Sequence, residues 1–184
     1  MHMKFKEYIT EEKNLHMEHA EDNVLNGGVA GTRATINYMR AIRDMLAGHS
    51  EKKVSLTVKW DGAPAIFAGK DPRDGKFFVA KKGIFNKNPK LYYSHADIDA
   101  DTSGDLANKL KLAFTEGKKL GIKSGVYQGD ILFSKDSLKS ETIDGVKYIT
   151  FHPNTILYAV PADSPLAKRL LAANIGIVWH TTYT

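Results

Sequence analysis

The chain has 184 residues, enough to bury a sizeable core unaided, and its 42% hydrophobic, 10% aromatic and 26% charged residues are those of a globular protein. With no cysteine there is no disulfide, thiolate chemistry or cysteine-ligated zinc, and no apolar run approaches the ~20 residues of a membrane span. The expectation is a cytoplasmic protein without a membrane partner, whose 26 Lys and Arg against 21 Asp and Glu, a formal charge of +5, suit a phosphate-bearing partner.

Two helices are expected first, over about 10–25 and 30–47, the second carrying Ile36, Met39, Ile42 and Leu46 at helical spacing and stopping at Gly48. Asn26-Gly27-Gly28 is the break between them. After residue 50 the pattern turns strand-rich. Strands are expected over 54–60 and 65–68, then a turn at Asp71-Pro72-Arg73-Asp74-Gly75 leading into a strand over 76–82. A helix over about 103–117 places Leu106, Leu110, Ala113 and Phe114 on one face. A strand over 126–133 follows, then a hairpin turn at Asp144-Gly145 into 147–151, a strand over 155–160, a helix from Ser164-Pro165 to about 173, and a last strand over 175–180. The class is α+β, with mostly antiparallel sheets behind an N-terminal helical pair. Residues 1–50 form the helical segment and 51–184 the second domain.

The chemistry concentrates in Val58-Lys59-Trp60-Asp61-Gly62, at a strand end and the start of a turn. A lysine amine becomes a nucleophile when burial or neighbouring cations displace its proton. Gly62 lets a ligand approach the backbone closely, and Asp61 can orient the amine or a metal-bound water. Taken alone, a lysine before an Asp-Gly turn is equally an ordinary strand end.

Three later segments follow in order: Phe77 to Gly83 with the pair Lys81-Lys82, Tyr127-Gln128-Gly129-Asp130, and Ile156 to Val160 with Tyr158. Over about residues 54–160 this series resembles the covalent nucleotidyltransferases: ATP-dependent DNA and RNA ligases and mRNA capping enzymes. Their first motif is Lys-x-Asp-Gly, matched by Lys59 to Gly62. The basic pair, the aromatic-x-Gly-acidic strand and a later aromatic strand resemble their other motifs.

The resemblance implies a ligase-type fold and an ATP- and Mg²⁺-dependent adenylyltransferase. Lys59 would be the nucleophile that forms lysyl-AMP and Asp61 its catalytic partner. Gly62, Lys81, Lys82, Asp130 and Tyr158 would bind the nucleotide, with Asp130 also facing the metal. AMP would pass to a 5′-phosphate end of RNA or DNA. Read from its residues alone, the basic loop with Lys87 and Lys90 is able to touch a nucleic-acid backbone and is equally a plain solvated loop.

Some positions depart from the family. Pro64 stands where many DNA ligases carry Arg, so the RNA-ligase-like branch fits better, and Asp130 replaces a Glu. The fourth and fifth motifs have no clear match before Thr184. The domain is therefore expected to be incomplete at its C-terminus, and a catalytically incomplete nucleotide- or nucleic-acid-binding relative is the alternative. Over its full length the chain also resembles uncharacterised tailed-phage proteins. A phage accessory or structural protein, located in the host cytoplasm, is a third reading.

Other groupings are set aside. His16, His19 and Asp22 share a helix face and read as a solvated surface. Asp97-x-Asp99-x-Asp101 lacks the Gly and the Glu of a calcium loop and reads as acidic capping of the helix near 103. Gly27 to Thr32 lacks the Gly-Lys-Ser/Thr ending of a phosphate loop. His152 and His180, beside apolar strands, read as core or rim histidines.

Overall fold

The computed structural model describes residues 19–49 and 58–183, which separate into two units, one up to Lys59 and one from Trp60 onward. Among the described residues there are four α-helices and seven β-strands, and the class is α+β.

The first unit is α1 (Ala20–Leu46), a helical hairpin rather than a single rod. Gly28 sits at φ 52°, ψ −136°, a conformation open to glycine and closed to most side chains, and the chain reverses there. Thr35 Oγ1 donates to the Ala20 carbonyl at 3.4 Å, so residues fifteen apart lie side by side. Gly31 permits this contact, because a Cβ there would fall 1.9 Å from the Asn23 carbonyl oxygen. The expected break at 26–28 is present. The part of the first expected helix before residue 19, and the Thr10 to His16 face with it, lies outside the described residues.

The second unit holds two sheets with only antiparallel pairings. The larger runs in the order β2-β1-β3-β7, from β1 (Ala65–Lys70), β2 (Phe77–Ala80), β3 (Val126–Ser134) and β7 (Ile175–Tyr183). The smaller is β4-β5-β6, from β4 (Lys139–Ile143), β5 (Val146–Phe151) and β6 (Tyr158–Pro161). Asp144 (φ 50°) and Gly145 (φ 79°) make the β4–β5 turn, both in the left-handed region that a two-residue hairpin requires.

Side-chain alternation gives the larger sheet two different faces. Ile66, Ala68, Val79 and Ile131 pack against α2 (His95–Asp101) and α3 (Gly104–Gly117) through Ile98, Ala107, Leu110, Ala113 and Phe114. The opposite face carries Phe67, Phe78, Ala80 and Val126, covered by Ile84 and flanked by Phe85, Leu91, Tyr93 and Tyr183. A third cluster joins the smaller sheet to α4 (Pro165–Ala172): Phe133, Ile149, Phe151, Val160, Ala167 and Leu170, with Trp60 and Tyr158 against it.

Several expectations change. The strand expected over 54–60 lies mostly outside the described residues, and Val58 to Trp60 belong to no strand. β2 ends at Ala80, and Lys82 opens a 3₁₀ turn instead of extending it. β6 starts at Tyr158 because Asn154 turns the chain, its side-chain oxygen accepting from the Ile156 amide at 2.8 Å. The acidic run 97–101 does not cap the helix near 103. It lies in α2, a separate helix capped by Ser94, whose side chain accepts from the Asp97 amide.

Candidate functional site

The candidate site lies on the larger sheet's face away from α2 and α3, where Trp60 to Pro64 run against β3. The Ala63 amide donates to the Ile131 carbonyl at 3.0 Å, and the Ile131 amide donates to the Pro64 carbonyl at 3.1 Å. These two bonds seat the preceding residues. Gly62 lies so close to β3 that a Cβ on it would fall 2.6 Å from the Ile131 carbonyl oxygen and 2.9 Å from Asp130 Cβ. Glycine is required there by contact, since its φ is not among the positive ones.

Asp61 is held from the smaller sheet. Its amide donates to the Tyr158 hydroxyl at 2.7 Å, and that hydroxyl lies 3.0 Å from the Asp61 carbonyl, to which it donates. Asn154 Nδ2 donates to an Asp61 carboxylate oxygen at 3.2 Å, so backbone and side chain are both oriented. Beneath them Trp60, Phe151 and Tyr158 form an aromatic triangle. Phe151 and Tyr158 stack at 5.1 Å, and Trp60 lies 5.0 Å from Tyr158 and 6.0 Å from Phe151. Tyr158 thus acquires a holding role that its place in the sequence did not announce. Its ring is engaged by two others and its hydroxyl by Asp61.

Asp130 projects from β3 between Ala65 on β1 and Val178 on β7. Its carboxylate is mostly buried, with one oxygen 3.7 Å from His180 Nε2. Asp61, Gly62, Asp130 and Tyr158, spread over a hundred residues of sequence, are therefore brought together, with Asn154 and His180 added. Lys59 is exposed and immediately precedes this segment.

The expected basic residues form a separate group. Lys81 Nζ lies 3.0 Å from one Asp101 oxygen, which also accepts from the Tyr92 hydroxyl at 2.6 Å, and Lys90 pairs with the other. The Lys90, Tyr92 and Lys81 donors together hold the Asp101 carboxyl well below the usual carboxylate range. Lys82 and Lys87 are exposed on the adjoining turn. Among the described residues no three His, Asp or Glu side chains gather as a metal-binding group. No helix of the described residues is long and apolar enough to cross a membrane.

Sequence reasoning missed Asn154 and set His180 aside. Asn154 gave only the signal of a loop residue after Pro153. His180 could be found only by knowing that β7 skips a residue opposite β3.

With this geometry in hand, comparison adds a family. Residues 14–184 match the model described as "Family of unknown function (DUF6267)", and the chain belongs to that family. No curated protein and no solved structure matches it.

Proposed function

We propose that the chain is an ATP-dependent polynucleotide ligase-like adenylyltransferase that forms lysyl-AMP at Lys59. One observation carries the reading: Asp61 and Gly62 meet Asp130 and Tyr158 in a single site. The same segments, in the same order, make the series resemble a ligase-type nucleotidyltransferase domain.

In this reading the Lys59 amine loses a proton and its Nζ bonds to the α-phosphorus of ATP. The bond from that phosphorus to the bridging oxygen breaks, and pyrophosphate leaves. Asp61, fixed by Tyr158 and Asn154, orients the amine. Asp130 faces the ribose through one oxygen, and a remaining lone pair of its carboxylate would suit Mg²⁺, an ion that typically takes one or two carboxylates and completes its shell with phosphates and water. When bound, Mg²⁺ disperses the charge that develops on the phosphates. Lys82 holds a phosphate, and Lys81 does so on exchanging its Asp101 partner for one. An oxygen of a nucleic-acid 5′-phosphate then bonds to the AMP phosphorus, the Nζ–phosphorus bond breaks and Nζ takes up a proton, with Lys87 and Lys90 against the strand.

The test is incubation with α-labelled ATP and Mg²⁺, followed by a denaturing gel and intact mass, beside Lys59→Ala. Gain of one AMP that disappears in Lys59→Ala supports the reading, and absence of label from the full chain removes it.

A second reading, a relative that binds nucleotide without transferring it, is favoured by the Lys81–Asp101 pair. One of the two cations assigned to phosphate is already neutralised. Nucleotide binding without labelling is its signature.

A further inference from the structure

The pairing of β3 with β7 slips by one residue beside Asp130. Gln128 faces Thr181 and Gly129 faces Trp179, leaving His180 with no partner in β3. Such a bulge re-aims a side chain out of the strand's alternation. Here the imidazole is brought over the sheet face that bears Asp130, with Nε2 3.7 Å from Asp130 Oδ2 and Nδ1 3.0 Å from Thr181 Oγ1. If the Thr181 hydroxyl donates to Nδ1, the ring carries its proton on Nε2, the nitrogen nearer the Asp130 carboxylate.

The sheet around Asp130 gives its carboxylate no second side-chain partner among the described residues. Its neighbours across the sheet are Ala65 and Val178, neither of which bears a donor side chain. The backbone of Gly62 covers its Cβ. His180 is the one side chain shown to pair with this carboxylate among the described residues, and it engages a single oxygen. The 3.7 Å separation is ion-pair range, and such contacts commonly tighten when a ligand arrives.

Resting on the nucleotide reading above, we infer that His180 is the positioning residue of Asp130: it occupies Oδ2, so that Oδ1 faces a ribose hydroxyl of the nucleotide. A carboxylate fixed in this way distinguishes a ribonucleotide from a deoxy analogue. Loss of a hydrogen bond to a charged group lowers affinity by about tenfold or more. The bulge is thus the specificity device of the site.

The test compares binding of ATP, 2′-deoxy-ATP and 3′-deoxy-ATP by calorimetry, using full-length Lys59→Ala so that no covalent step intervenes. The expected result is a preference for ATP over at least one deoxy analogue of about tenfold. That preference disappears in His180→Ala, through weaker ATP binding with analogue binding unchanged, and returns in part in His180→Gln, whose amide supplies a donor. A merely structural effect weakens all three nucleotides together, and that result, or an intact preference in His180→Ala, overturns the inference. Equal binding of all three by the parent overturns it as well, while Lys59 labelling in the native chain still stands. A parent that binds none of them removes the nucleotide reading and the inference together.

Discussion

The Tyr158 hydroxyl bridges the two backbone groups of Asp61, a residue 97 positions earlier, receiving a hydrogen bond from its amide at 2.7 Å and giving one to its carbonyl at 3.0 Å. One side-chain oxygen therefore fixes the plane of the segment that follows Lys59.

Tyr158→Phe removes this bridge and keeps the ring stacked on Phe151. The partly buried Asp61 amide loses its partner, so a stability loss of about 1–2 kcal/mol is expected in urea denaturation. Self-adenylation should fall much further than this stability loss implies, because the folded variant no longer orients Asp61. Equal labelling rates for variant and native protein, measured well below the unfolding midpoint, would contradict the holding role.

Gly62→Ala tests contact with β3. The added methyl meets backbone atoms of Ile131, which cannot rotate aside, so the segment must lift off the strand. Destabilisation of about 1–3 kcal/mol is expected, together with loss of nucleotide binding. Gly145→Ala serves as the comparison: it has open space around its Cβ and only the strain of φ 79° to bear, and it should retain binding.

Much of this arrangement was legible in the sequence, and the rest was not, for physical reasons. The hydrophobic period gave α3 from Leu106 to Phe114, and Asp144-Gly145 gave the β4–β5 hairpin, because both signals are local. α2 was hidden because His95 to Asp101 is short and acidic, and its stability comes from Ser94 and the burial of Ile98. The proximity of Gly62 to Asp130 and of Asp61 to Tyr158 has no local signal, since sequence carries no direct record of which strand ends converge. The role of His180 depends on a one-residue slip between β3 and β7, which a pattern of period two cannot register.

Asp71 sets a pH limit on the fold. Its carboxylate is 1% exposed, bonded by the Arg73 guanidinium and by the Tyr93 hydroxyl at 2.5 Å. Burial pushes this carboxyl up, but the Arg73 and Tyr93 hydrogen bonds outweigh it and hold it at about 2, against an ordinary 3.8. A lowered folded value means that the stabilisation is complete above about pH 4 and is lost as pH falls toward 2, an amount of about 2 kcal/mol. Unfolding midpoints measured between pH 5 and 2 should fall in the native protein, and should fall less steeply in Asp71→Asn, which starts lower.

The basic residues around β2 should contribute unequally to nucleic-acid binding. Lys87 is exposed, whereas Lys90 is tied to Asp101. Binding of a fluorescent 5′-phosphorylated oligonucleotide, followed across salt concentrations, should lose close to one unit of log–log slope in Lys87→Ala. Lys90→Ala should lose less, because that cation already has a carboxylate counterion. Identical slopes for the two variants would contradict the division.

The position of β7 beside β3 has a consequence for how the protein is made. A ribosome releases Asp61 first, then Asp130 and Tyr158, and His180 last of the four. Until then β3 presents a bare edge, and Asp130 has neither its imidazole nor its strand neighbour Val178. Synthesis itself leaves the site without His180 until β7 has emerged and paired with β3.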